Sequence, residues 1–368
     1  MSIRVLLWYW GRRGGGALFT KLLARHLREA HPQFDLYASL SSGNDLIDEI
    51  APWVTEMDVV QSVGGDNAGL VDAVRAIPRW RGSFAEALER RRPDIVVAPM
   101  MFAGLGSAVD LVAKGKARLA YVVHDPVPHQ GDRWGTAQRL MQNRVLARSQ
   151  RVIAMSHAMA ETLSRRKRLA PIVSAQPLEG HYLSEFAPLP AREPDGTTRF
   201  LSLGRLVDYK GFDRIAGALR QLPLDAPVRL TIIGDGPAAE QVRATFADDP
   251  RVTIDLRWTD PGARRAALAA HDALLCPYTD ATQSGIVCEA LTAGRLTVVT
   301  PKGALPEQVG DGAAGRVVDD LSPGALARAL LAPLPPPDAV AAACRTQLVE
   351  ANRLLSWGTV LDDLAAEH

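Results

Sequence analysis

Chemistry is first legible where Gly204, Arg205 and Leu206 are followed by Asp208, Lys210 and Gly211. Leu201 to Leu203 read as the end of a short buried strand, Gly204 as a turn, and Lys210 to Asp213 as the approach to a helix. That order puts backbone N–H groups and the positive end of a helix at the carboxyl edge of a parallel sheet, where an anion can be held. Arg205 offers a planar fork and Lys210 a point charge. The pair could close on a diphosphate from two sides, as a divalent metal does elsewhere. The alternative is a solvated loop with ordinary surface charges.

Two further stretches bear on the choice. Leu230 to Ile233 form a β-branched run followed by Gly234, Asp235, Gly236 and Pro237, with the proline where a first helical residue would sit. Later come Pro277 and Tyr278, then Asp280, then Gln283, Ser284 and Gly285, then Glu289, Ala290 and Gly294. In that order the three stretches resemble the C-terminal half of the retaining, nucleotide-sugar-dependent glycosyltransferases of family 4 (group 1), which have the GT-B fold. The N-terminal half matches more loosely.

The resemblance implies an α/β protein of two Rossmann-like domains facing across a cleft, with a C-terminal helix that crosses back to the N-terminal domain. It implies that Arg205 and Lys210 stabilise the charge growing on the β-phosphate, and that Glu289 holds the ribose hydroxyls. Gly204, Gly234, Gly236, Gln283, Ser284 and Gly285 would lie along the donor, the last three offering backbone N–H groups. Retention would come from same-face attack, with the leaving phosphate taking the acceptor's proton, or from a double displacement, which the sequence leaves open. No nucleophilic carboxylate is evident at a matching place, and no metal or cofactor is implied. One departure stands out: Ala281 occupies the position of the family's first Glu, so donor-sugar contacts there must come from Asp280, Gln283, Ser284 or backbone.

Positioning these residues requires alternating strands and helices. Ile3 to Trp8 read as a first buried strand, and Gly14, Gly15 and Gly16 as a loop before a helix with Leu18, Leu22, Leu23 and Leu27 at helical spacing. This loop resembles the first loop of GT-B enzymes, whose glycines let the backbone approach donor phosphates or acceptor. Further strands are expected at Phe34 to Leu40, Val59-Val60, Ile95 to Pro99, Leu119 to His124 and Val152 to Met155, with helices at Leu70 to Ile77, Phe84 to Arg91 and Ala137 to Arg148. Such alternation argues a doubly wound parallel sheet. His124, in the run Tyr121 to His129, resembles the loop residue that GT-B enzymes present to the donor sugar; a buried structural hydrogen-bonder is the other reading.

Pro177, Pro188, Pro190 and Pro194 mark a connection, dividing the chain into 1–180 for acceptor, 197–352 for nucleotide sugar, and 353–368 as the returning helix. The second half has expected strands at Arg199 to Leu203, Val228 to Ile233, Val252 to Asp255, Ala273 to Cys276, Thr297 to Val299 and Gly315 to Val318.

Length favours two domains, since the chain has 368 residues. A net charge of +1 gives no support to nucleic-acid binding. Three scattered cysteines suggest neither a disulfide framework nor a zinc site, and a reducing compartment fits them. With no apolar run long enough to span a membrane, the expectation is a cytoplasmic protein. The clusters Arg79-Trp80-Arg81, Arg90-Arg91-Arg92 and Arg165 to Arg168 read either as a surface for anionic lipid or a lipid-diphosphate acceptor, or as solvated helix ends. The implied partners are a nucleoside-diphosphate sugar and a glycan or lipid-linked acceptor.

Two rival functions remain. Gly234, Gly236 and Ala239 also fit the dinucleotide fingerprint, with Asp255 about twenty residues on, which would make the protein an NAD-dependent oxidoreductase. A non-catalytic sugar-nucleotide-binding protein on the same scaffold is the second.

Overall fold

The computed structural model describes every residue except 1, 13, 62–69, 103, 126–134, 168–171, 174–183, 192–194, 352–356 and 368. His129, Pro177, Pro194 and Arg168 therefore lie outside the described residues. The chain divides into two compact units, Met1–His181 with Arg353–His368, and Tyr182–Asn352.

The first unit holds a parallel sheet of strands β1 Ile3–Tyr9, β2 Phe34–Ser41, β3 Glu56–Val60, β4 Ile95–Ala98, β5 Arg118–Val123, β6 Arg151–Ala154 and β7 Ile172–Val173. Their order is 3-2-1-4-5-6-7. Val5 pairs with Leu36 on one side and Ile95 on the other, which makes β1 central. Helices cover both faces of such a strand, so it runs continuously apolar instead of alternating, and Val5 to Tyr9 are all buried. The short β7 was not expected, because two residues carry no periodicity.

The helices expected at Leu70 to Ile77 and Phe84 to Arg91 are one, Leu70–Arg91, with Pro78 inside it. A proline there removes a helical hydrogen bond, but Trp80, Phe84 and Leu88 recur at helical spacing and are all buried. Phe84 stacks on Trp8 with ring centroids 3.9 Å apart. That packing outweighs the local breaker. Helix Trp357–Ala366 belongs to the same unit: Trp357, Val360, Leu361 and Leu364 form its buried stripe. Trp357 meets Phe19, and Arg118 donates to the carbonyl of Leu364 at 2.5 Å.

The second unit holds β8 Thr198–Leu203, β9 Val228–Ile233, β10 Val252–Asp255, β11 Ala273–Cys276, β12 Leu296–Val299 and β13 Gly315–Val317, again all parallel. Their order is 10-9-8-11-12-13. Each sheet thus reverses its winding once, between β1 and β4 and between β8 and β11. Loops leaving the carboxyl ends of such a strand pair diverge to opposite faces, and the crevice between them is where ligands sit in open α/β sheets.

Candidate active site

In the second unit the loops after β8 and β11 build this crevice. Beyond Leu203 the chain turns at Gly204, runs to a single helical turn at Asp208–Lys210, and bends again at Gly211 before helix Phe212–Arg220. Gly211 has φ 75°, and a Cβ there would lie 2.1 Å from the carbonyl oxygen of Pro277. Only glycine fits this close approach, which brings the β8 loop against the β11 loop. Lys210 Nζ then reaches back to donate to the Leu203 carbonyl at 3.3 Å, 4.9 Å from the centre of the Tyr278 ring.

Lys210 is only 8% exposed, and among the described residues no carboxylate pairs with it. Burial pushes its pKa below the usual lysine value, while the neighbouring Cys276 opposes the shift. Burial likewise raises the Cys276 thiol to about 11. A buried cation with one carbonyl, one ring face and no counter-charge is costly by itself; the arrangement suits an arriving anion. Arg205 is exposed and, among the described residues, makes no hydrogen bond or ion pair.

The β11 loop leads to helix Gly285–Thr292, with Ser284 as its extended cap residue. Gln308, unremarked in the sequence, grips this cap. Its Oε1 accepts from the Ser284 N–H at 2.8 Å and its Nε2 donates to the Ser284 carbonyl at 3.2 Å. The expectation that the Ser284 N–H serves a ligand is therefore corrected, because Gln308 holds that proton. Val287 donates to the Ser284 carbonyl, helix geometry leaves the N–H groups of Gly285 and Ile286 without intrahelical partners, and the space beside Gly285 is open, with nothing within 4 Å of an added Cβ. The buried Tyr278 hydroxyl lies 3.5 Å from Ser284 Oγ, and burial holds its pKa well above the ordinary tyrosine value.

Glu289 lies one turn into this helix. Its two oxygens accept from Arg264 Nε at 3.1 and 2.8 Å, and Arg264 Nη1 donates to the Thr259 carbonyl at 3.0 Å. No motif in the sequence drew attention to Arg264. The signal was a basic residue four past a helix-capping Asp260, too common to single out.

Gly234 and Gly236 serve the turn beside them. A Cβ on Gly234 would lie 1.9 Å from the Gly204 carbonyl oxygen, and one on Gly236 2.3 Å from that of Leu206. Leu206 donates to the Asp235 carbonyl and accepts from the Ala238 N–H. These glycines let the β9 loop brace the β8 loop. The dinucleotide reading fails here on topology, since β9 lies between β10 and β8 and away from the reversal of winding.

In the first unit the described residues at the corresponding strand ends pack on one another. Gly14 has φ 79° and caps helix Gly15–Ala30. A Cβ on Gly16 would lie 2.2 Å from Tyr9 Oη, so this glycine admits the tyrosine. Burial raises that tyrosine to about 12. His124, just past β5, donates from Nε2 to the Pro99 carbonyl at 2.8 Å and meets Phe19 edge-on at 4.8 Å. Burial lowers its pKa, against the pull of Asp125 and the Pro99 bond. A neutral imidazole at neutral pH follows.

The basic clusters are partly spent on the fold. Arg81 pairs with Asp110 at 2.8 and 3.0 Å. Arg91 holds Asp58 at 2.8 Å and also Glu56. The lipid-surface reading loses these two residues. No helix among the described residues is long and apolar enough to cross a membrane.

The pattern of Glycosyltransferase Family 4 matches residues 13–174, and that of Glycosyl transferases group 1 matches residues 197–334. The chain belongs to the family 4, group 1 glycosyltransferases, and its fold is GT-B. No curated protein matches by sequence. Solved structures with the same fold include HepE of Anabaena in complex with UDP-glucose, at 15% identity, TM-score 0.71, covering 99% of this chain and 98% of that one. Sucrose-phosphate synthase of Thermosynechococcus elongatus is similar at 15% identity and TM-score 0.73, covering 99% and 97%. A glycosyltransferase of Rickettsia africae covers 100% and 99% at 14% identity and TM-score 0.70.

Proposed function

We propose that this glycosyltransferase moves a sugar from a nucleoside-diphosphate sugar to a hydroxyl of a glycan or lipid-linked acceptor, with retention of configuration and without a metal. The observation that supports it best is Lys210, a buried ammonium with no counter-charge among the described residues, at the mouth of the β8 and β11 loops. Breaking the bond between the anomeric carbon and the β-phosphate oxygen leaves negative charge on that oxygen. A preorganised cation acts most strongly where such charge develops. Lys210, Arg205 and the open N-terminus of helix Gly285–Thr292 share that work, and Glu289 accepts hydrogen bonds from the ribose. The acceptor oxygen bonds to the anomeric carbon on the face the phosphate leaves, and its proton passes to the departing phosphate oxygen. His124, neutral, holds a sugar hydroxyl. The reaction runs in the cytoplasm, at the inner face of an anionic membrane when the acceptor is lipid-linked.

HepE was solved with UDP-glucose, so uridine donors are the first to test. Incubation with UDP-, GDP- and ADP-sugars in excess EDTA should release the nucleoside diphosphate from one of them. The transferred sugar should keep its anomeric configuration by proton NMR. A strict need for added magnesium or manganese would refute metal independence, and an inverted product would refute retention. Tight nucleotide-sugar binding with no release under any acceptor would favour the non-catalytic alternative.

A further inference from the structure

The Glu289–Arg264 pair joins three segments that no single motif connects. Arg264 lies on helix Pro261–Ala269, which opens on Asp260 accepting from the Ala263 N–H. Its Nε meets both oxygens of Glu289, and its Nη1 holds the carbonyl of Thr259, a buried residue of the loop after β10. Both charged side chains are about four-fifths covered, at 19% and 20% exposure. A surface ion pair this simple would contribute little. Here the guanidinium has two fixed partners on separate elements, and a planar fork so held loses little further freedom. The contact also uses one N–H for two oxygens. Each carboxylate oxygen thus keeps further acceptor capacity.

From this geometry we infer that Arg264 is a positioning residue for nucleoside recognition: it holds the Glu289 carboxylate in the one orientation that accepts the ribose hydroxyls. The inference rests on the reading of Glu289 given above. Without Arg264 the carboxylate would be half-buried, unpaired and free to rotate. The ribose would then meet an acceptor that must be ordered on binding, at a cost in affinity. The diphosphate end of the ligand touches neither residue and should not register the change.

Calorimetry separates the outcomes, using whichever of UDP, GDP and ADP binds tightest, with inorganic pyrophosphate as a second probe. Arg264→Ala should weaken nucleotide binding by about tenfold, the scale of one charge-assisted contact, and leave pyrophosphate binding unchanged. Arg264→Lys should recover part of the loss. In the double variant with Glu289→Ala, removing Arg264 should cost nothing further, because its effect passes through the carboxylate. An unchanged or tighter nucleotide affinity in Arg264→Ala, an equal loss for pyrophosphate, or additive losses in the double variant would each overturn the inference. If Glu289→Ala alone leaves nucleotide binding intact, the ribose role of Glu289 fails first and the positioning role falls with it.

Discussion

The two units share a winding and differ in what fills its turning point. In the second unit the β8 and β11 loops enclose Lys210, whose charge the described residues leave unmatched. In the first, Phe19 packs edge-on against His124 at the end of β5, and the His124 Nε2 donates to the Pro99 carbonyl. Among the described residues, one edge keeps a charge without a partner, while the other shows aromatic packing and neutral hydrogen bonds. A common scaffold thus carries opposite physical strategies, and it is the unmet charge, more than the fold, that points to chemistry.

The largest effect expected from this contrast is at Lys210. Lys210→Met should cut turnover by about a hundredfold or more, as loss of a preorganised contact in the transition state does. Because a buried cation with no carboxylate partner among the described residues goes with it, the melting temperature should hold or rise. A fall in both would make Lys210 an ordinary structural residue. Arg205→Ala, at an exposed position, should lower turnover without moving the melting temperature.

Gly211 tests the joint between the loops. Gly211→Ala forces a side chain toward the Pro277 carbonyl and into a left-handed backbone region, and should cost roughly 1–3 kcal/mol of stability, or more if the loops part. Chemical denaturation checks this, with a loss under about 0.5 kcal/mol showing that the loops yield easily.

His124→Ala in the first unit should reduce turnover about tenfold, the worth of one neutral hydrogen bond to the sugar. Nucleoside diphosphate binding should stay as it was, because this residue addresses the sugar. Loss of nucleotide binding in that variant would erase the distinction between the two edges.

The smallest effect is in pH. Burial lowers the Lys210 pKa, so the folded protein releases this proton before the unfolded chain does. Below the lowered pKa the burial penalty is fully present. As pH rises from there toward lysine's ordinary value of 10.5, the unfolded chain binds more protons than the folded one and Lys210 contributes a gain in stability. Anion binding has the opposite sense: it needs the ammonium, and should weaken as pH climbs through the lowered value. Calorimetry of nucleotide binding between neutral and alkaline pH, alongside Lys210→Met, measures it. The wild-type slope should vanish in the variant.

Much of the architecture was readable because β-strands buried on both faces appear as plain apolar runs, such as Val5 to Tyr9 and Ala273 to Cys276. Pro78 misled, because a breaker is visible in sequence and the packing of Trp80, Phe84 and Leu88 against the sheet is not. The places of Arg205, Lys210 and Glu289, past a strand end or near a helix start, were legible because those spacings are local. Arg264 and Gln308 were not. Each acts across 25 or 24 residues of sequence, and neither residue type is rare enough to betray a partner that far away.

Helix Trp357–Ala366 gives the first unit a discontinuous chain. Its strands are made first, yet the stripe that covers Phe19 and the grip of Arg118 on Leu364 come only after the whole second unit has been synthesised. On the ribosome the Tyr182–Asn352 unit can complete its core from contiguous sequence. The earlier-made unit must wait with apolar surface uncovered. Order of synthesis and order of completion are therefore reversed in this protein, and the half that emerges first keeps apolar surface open longest.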